Sequence, residues 1–178
     1  MLLNLTELTP DVRASMLAEF EAELAGATPF YPARLTPAGR DRWPDLLREA
    51  ISNHDDEWLM EALLEDGLIV GFEMSASARS GVKSVNVRSA AQTMAMSEFN
   101  TWYVRGLSAM LLTEGIVTVR VYRAGMPKWS VAGCDVHDGQ VVETQVMYEG
   151  HRARYWPTRT NVFAIPYQPN CHHSIQRV

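Results

Sequence analysis

Soft metal ligands are concentrated in two short segments of this chain, Cys134-Asp135-Val136-His137-Asp138-Gly139 and Pro166-Tyr167-Gln168-Pro169-Asn170-Cys171-His172-His173. Both cysteines and three of the five histidines fall there. Zinc takes four ligands in a tetrahedron and accepts thiolate and neutral imidazole alike. Cys134 and His137, spaced C-x2-H, lie about one turn apart, and Cys171 and His173 alternate by two, so both can project from one face of an extended segment. A single ion held by Cys134, His137, Cys171 and His173 would clasp the base of the intervening loop and add stability to a small sheet. Spacing alone leaves two other readings open. A Cys134–Cys171 disulfide would close the same loop, although a reducing cytoplasm disfavours it. The pattern also fits two ordinary buried thiols beside surface histidines.

Other chemistry is sparse. Asp55, Asp56, Glu57, Glu61, Glu65 and Asp66 form an acidic group, read as dipole-favouring residues at a helix start and as its solvated face. Ser130 or Ser174 could be drawn beside a histidine, but no nucleophile elbow supports either. Neither a P-loop nor a dinucleotide fingerprint is present. A catalytic zinc would need an open position and a nearby carboxylate, for which Asp135, Asp138 and His172 are the candidates. Four protein ligands favour a closed, structural site, and the expectation is a protein that is not an enzyme. His54 and His151 read as exposed loop residues.

The elements that must position these residues are α+β in pattern: helices first, then a small, mostly antiparallel sheet packed on a long helix. Thr9-Pro10-Asp11 starts a helix with Val12, Met16, Phe20 and Leu24 on one face, and Gly26 ends it. Thr36-Pro37 is a second start. Short helices are expected over Asp45–Ile51 and Asp56–Glu65. Residues 71–87, poor in large apolar side chains, read as a loop or extended excursion and as the boundary between an acidic helical region, 1–88, and a C-terminal module, 89–178. Ser89-Ala90-Ala91-Gln92 has capping-box spacing and opens a long helix to about Glu114. Gly106 lies mid-helix, where close approach of another backbone would offset its cost. Period-two alternation marks a strand over 116–122, Asp138-Gly139 marks a turn, and further strands are expected over 140–148 and 161–165. Trp102, Tyr103 and Tyr122 read as core.

Composition bounds the partners. The 178 residues are 47% hydrophobic and 21% charged, the balance of a globular chain, and no apolar run approaches a membrane span. Met1-Leu2-Leu3-Asn4 lacks the basic start and apolar run of a secretory signal, so the expectation is a reducing cytoplasm, at least until the protein is assembled into something else. The net charge of −5 is unevenly spread: residues 1–89 carry 8 Lys and Arg against 15 Asp and Glu, whereas residues 120–178 carry 7 against 4. That basic excess is too dispersed for a nucleic-acid footprint, so DNA is the less favoured partner. Trp129, Tyr155 and Trp156, beside Lys128, Arg152 and Arg154, read first as local loop packing, with a protein-contact patch as the functional alternative.

The C-terminal half, about residues 90–178, resembles the phage head-morphogenesis family, the minor head proteins similar to protein F of phage Mu. That family pairs C-x2-C and a D-G turn with a terminal P-x-H-P-N-C-R-C. Cys134 falls on the first cysteine and His137 on the second, followed by Asp138-Gly139. Pro166, Pro169, Asn170 and Cys171 match the terminal signature, with His173 at its last cysteine. Upstream, Ser97-Glu98 matches the family's T-E, Gly106 its helix glycine and Tyr122 an aromatic position. Met96, Gln168 and His172 depart from the pattern, standing where the family has arginine, histidine and arginine. Because both replaced cysteines become histidines, the resemblance implies a ligand set still suited to structural zinc. It further implies a structural virion protein of a tailed phage or prophage, a minor head protein acting near the portal. Portal or capsid proteins would be its partners, and it would sit in a homo-oligomeric ring or in several copies. A head–tail connector component is the nearest alternative, and a zinc-dependent hydrolase or toxin-associated module the more distant one.

Overall fold

A computed structural model describes residues 1–65, 67–126, 135–156 and 159–178. Five helices and two small antiparallel sheets make up the described chain. Helix α1 (Pro10–Leu24) begins where Thr9 accepts the Val12 N–H, with Pro10 in its first turn. Val12, Met16 and Phe20 form its buried face. Helix α2 (Pro37–Asn53) begins on the cap Thr36 and runs through Pro44. The expected Thr36-Pro37 start and the short helix expected over Asp45–Ile51 are therefore parts of one helix. Proline removes one backbone donor from a helix interior, but Trp43, Leu46, Leu47, Ala50 and Ile51 anchor both sides of it in the core. Arg13 reaches from α1 to donate to the Ala50 and Ile51 carbonyls, satisfying the end of α2.

Helix α3 (Asp56–Leu63) is capped by Asp55, which accepts the Glu57 and Trp58 N–H groups. Asp56 is not on a solvated face. It is fully buried and accepts the Leu2 and Leu3 N–H groups, pinning the first residues of the chain to α3. Burial pushes its carboxyl up to about 6. The excursion expected over 71–87 contains a hairpin, β1 (Phe72–Met74) with β2 (Val82–Ser84). Glu73 on its inner face pairs with Arg34 and Lys83.

Helix α4 (Val87–Thr113) is the axis of the fold. Its cap is Asn86, which accepts the Ser89 N–H, so it starts two residues before the expected capping box. Gly115, at φ +76°, follows its end. Helices α1, α3 and α5 (Thr144–Glu149) pack around α4, and one hydrophobic core draws on residues from both 1–88 and 89–178. Phe20 meets Trp102 edge-on at 5.1 Å.

Strand β3 (Thr118–Arg123) is central in the second sheet, between β4 (Val141–Glu143) and β5 (His173–Arg177), both antiparallel to it. Only the start of the valine-rich run 140–148 is strand; residues Thr144–Glu149 form helix α5. Thr144 and Met147 are buried three residues apart, a helical spacing that lets α5 pack on α4. Packing thus overrides local β-propensity. The strand expected over 161–165 does not form, because β5 occupies the free edge of β3. None of the helices among the described residues is long and apolar enough to cross a membrane.

Gly106 shows how tightly α1 and α4 cross. A β-carbon there would lie 2.5 Å from the Met16 nitrogen and 2.7 Å from its Cα, both backbone atoms. Ser15 also donates to the Gly106 carbonyl at 2.8 Å. Gly106→Ala should therefore destabilise the protein by about 1–3 kcal/mol despite its better helix propensity. Urea denaturation checks this; a stabilised variant would show that the crossing is looser than described.

Candidate metal centre and the buried network behind it

Cys134 lies outside the described residues, as do Asp66, Lys128, Trp129 and Ser130. The other three ligand candidates are placed by the second sheet. His137 closes a 3-10 turn, Asp135–His137, ahead of Gly139, whose φ of +78° makes the turn into β4. Cys171 lies two residues before β5, and His173 is the first residue of that strand, opposite Arg123 on β3.

Cys171 and His173 are both buried, with Sγ 3.8 Å from Nδ1. Sulfur and nitrogen bound to one tetrahedral zinc would be about 3.5 Å apart, from bond lengths of about 2.3 and 2.0 Å. The other ring nitrogen, Nε2, is buried without a hydrogen-bond partner and lies 3.9 Å from Asp138 Oδ1. A carboxylate behind the non-ligating nitrogen is the usual support of a zinc-bound imidazole. Burial, with Arg123 nearby, pushes the His173 imidazole below its ordinary range and keeps it neutral, as ligation requires. This pair fits the ion.

His137 is near enough to act electrostatically on His173, but its side chain is engaged elsewhere. Its Nδ1 is 3.2 Å from Gln140 Oε1, and its ring rests on Phe163 and Tyr167 at 4.8 and 5.1 Å. Among the described residues, no three His, Cys, Asp or Glu side chains come together to hold a metal. Asp135 accepts from Arg123 at 2.7 Å. Ser174 is buried and donates to Asn100 Oδ1 at 2.7 Å, a structural contact and no nucleophile pair with a histidine.

The terminal segment is held by polar side chains of α4. Asn170, at φ +71°, turns the chain in the left-handed region that asparagine tolerates. Its N–H donates to Ser97 Oγ at 2.9 Å. One turn along α4, Asn100 Nδ2 donates to the His173 carbonyl at 2.8 Å. Ser97 and Asn100 thus set the backbone on either side of Cys171.

Between Ser97 and Asn100, Glu98 faces a buried network absent from the sequence-based expectations. Its two oxygens accept from Arg152 at 2.7 and 3.1 Å. Arg152 is buried, not part of a contact surface, and its φ of +53° is one that only a strong anchor sustains. Its guanidinium lies over Phe30 at 4.2 Å and near Trp102 at 5.2 Å. Burial opposes its charge, but Glu98, Tyr155 and Glu23 raise its pKa on balance. Burial pushes the Glu98 carboxyl up. Arginine has no acceptor for a carboxyl proton, so the two-pronged contact nevertheless describes an ionised pair.

His151, expected in an exposed loop, is tucked against Trp102 at 4.8 Å and pairs through Nε2 with Glu23 Oε2 at 2.9 Å. Burial pushes its imidazole down to about 4. Its Nδ1 is buried and unpartnered, so this Glu–His pair presents no base to a substrate. The one sequence signal for this network was the polar run Ser97-Glu98, Asn100-Thr101 inside an apolar helix.

No protein-family model, curated protein or solved structure matches the chain. Chemical roles therefore rest on the geometry of these residues.

Arg152→Met would leave Glu98 buried and unpaired, and should cost about 3–5 kcal/mol of stability. Adding Glu98→Leu to it should recover much of that loss, because the pair is then removed together. Thermal and urea unfolding of the single and double variants check this; a loss below about 1 kcal/mol in the single variant would mean the pair is solvated.

Proposed function

We propose that the protein is a structural component of a tailed-phage or prophage particle, a minor head protein that assembles near the portal. The observation that supports this best is spatial. The resemblance rests on separated stretches, Ser97-Glu98, Gly106, Tyr122, Cys134 to Gly139 and the terminal Pro166 to His173, and the first and last of these meet. Ser97 holds the Asn170 N–H, while Glu98, its neighbour, holds Arg152 beneath the same segment. Gly106 lets α1 cross α4 in backbone contact. Residues shared with a family for a physical reason are expected to take such interlocking roles.

In this reading zinc is structural. Cys171 and His173 would supply a sulfur and a nitrogen, with Asp138 behind His173, and Cys134 and His137 would complete the tetrahedron. Bound zinc would tie the start of β5 to the turn before β4, and a closed set of four protein ligands leaves no place for an activated water. For His137 to join, its ring must leave Gln140 and turn toward His173, a side-chain rotation within a short turn.

The assembly surface must be drawn without Arg152, which is internal. Arg154 is also partly engaged, stacked over Tyr167 at 3.9 Å. The acidic helical region offers exposed Glu57, Glu61 and Glu65 on and just beyond α3 as the stronger charged face. Charge of this kind steers docking more than it adds affinity.

The test is co-sedimentation of the purified protein with portal rings or capsid particles encoded beside it. Retention that weakens as salt rises is expected. A protein that stays monomeric, ignores such particles and binds DNA tightly at physiological salt would overturn the proposal. Elemental analysis should give about one zinc per chain, lost in Cys171→Ser and His173→Ala.

A further inference from the structure

Beyond the C-terminal strand, an open cleft of about 240 Å³ lies at the end of α1. Glu23, Gly26, Ala27, Thr28, His151 and Trp156 line it, with Arg152 at its floor. Three features give it one electrostatic sign. First, the buried network does not balance: Glu23 and Glu98 are carboxylates, Arg152 is the one cation among them, and His151 is neutral. Arg152 commits both terminal nitrogens to Glu98 and leaves only Nε facing Glu23, at 3.6 Å and beyond hydrogen-bond range. Second, burial works against the Glu23 charge, but His151 and Arg152 hold its carboxyl below its ordinary range. It remains ionised at the cleft wall. Third, α1 ends here, where the backbone carbonyls of a 15-residue helix carry the negative end of its dipole.

The remaining wall is aromatic. Trp156 lines the cleft and is braced edge-on by Phe30 at 5.7 Å. An excess negative charge beside an indole is the arrangement that recognises organic cations, since the ring face attracts the charge that the carboxylate neutralises.

We infer that this cleft binds one alkylammonium or guanidinium group, the charged end of a lysine or arginine side chain from a partner polypeptide. The cleft is open and shallow enough for an inserted side chain. The single uncompensated charge specifies one cationic head. Glu23 takes the charge, the C-terminal end of α1 adds to it, and Trp156 covers the apolar stem and flank. Thr28, exposed at the rim, only shapes the entrance. The site is independent of the metal centre and of the virion reading.

The test uses the whole chain and two probes of the same chemistry, N-acetyl-arginine amide and agmatine, titrated by calorimetry or NMR against sodium chloride of equal ionic strength. Saturable binding of either probe is expected, weakened about tenfold by Glu23→Gln and several-fold by Trp156→Ala. Tighter binding of the amino-acid amide marks a side-chain source, and tighter binding of agmatine marks a free amine. Because Glu23→Gln disturbs the network around Arg152, Thr28→Arg provides a second test. Its guanidinium should fill the cleft in cis, raise Tm and abolish probe binding. No saturation in the parent protein, or undiminished binding in a folded Thr28→Arg variant, would overturn the inference.

Discussion

From Ala90 to Leu112, helix α4 has no exposed residue, so its polar side chains depend on partners inside the protein. Ser97, Glu98 and Asn100 find them on other elements, and Trp102 Nε1 and Ser108 Oγ do not find them among the described residues. That constraint organises the fold. Asn100 meets the backbone and the Ser174 hydroxyl of β5, Ser97 meets the turn before it, and Glu98 meets Arg152. Where α1 crosses, Gly106 removes the side chain altogether and lets the two backbones touch. A core of purely apolar contacts would tolerate some sliding of α4 along its neighbours. Directional bonds at successive positions resist that and fix the height of β5 against the helix.

The same bonds decide what the C-terminal strand can do. Cys171 and His173 are side by side where the chain enters β5, and they are buried because Ser97 and Asn100 draw the backbone onto α4. A thiol and an imidazole share a dry site there, one ring nitrogen facing the sulfur and the other a carboxylate, an arrangement that would suit one half of a soft-metal site. In the proposed site, Cys134 and His137 would supply the other half. A loop clasped in that way would span α5 and the Arg152 anchor, so metal and ion pair would secure opposite ends of one excursion.

Charge follows a related logic. Part of the acidic excess in the first half is engaged internally. Asp56 holds the chain's first residues, Glu19 pairs with Arg105 at 2.7 Å, and Glu23 joins the Arg152 network. Surface pairs such as Arg48 with Glu21 add little by comparison. Formal charge by segment therefore overstates the polarity that a partner would meet, and the basic C-terminal patch suggested by composition loses its central member to the core.

Local chemistry was enough for the sequence alone to determine the α+β class, the starts of α1 and α2 at Thr-Pro caps, the close crossing at Gly106, β3 and the glycine turn at 139. Each depends on a cap, a glycine or a period legible within a few neighbours. The pairing of Cys171 with His173 was legible for the same reason, since alternation by two places both on one face. Only the tertiary structure decided the rest. Valines over 140–148 prefer strand, but burial of Thr144 and Met147 against α4 made helix. Residues 161–165 lost their place in the sheet because β5 claimed the one free edge of β3. Arg152, His151 and Asp56 looked solvated because charged residues usually are. Their burial depends on partners 54, 128 and 54 residues away, and no window of sequence contains both members of such a pair.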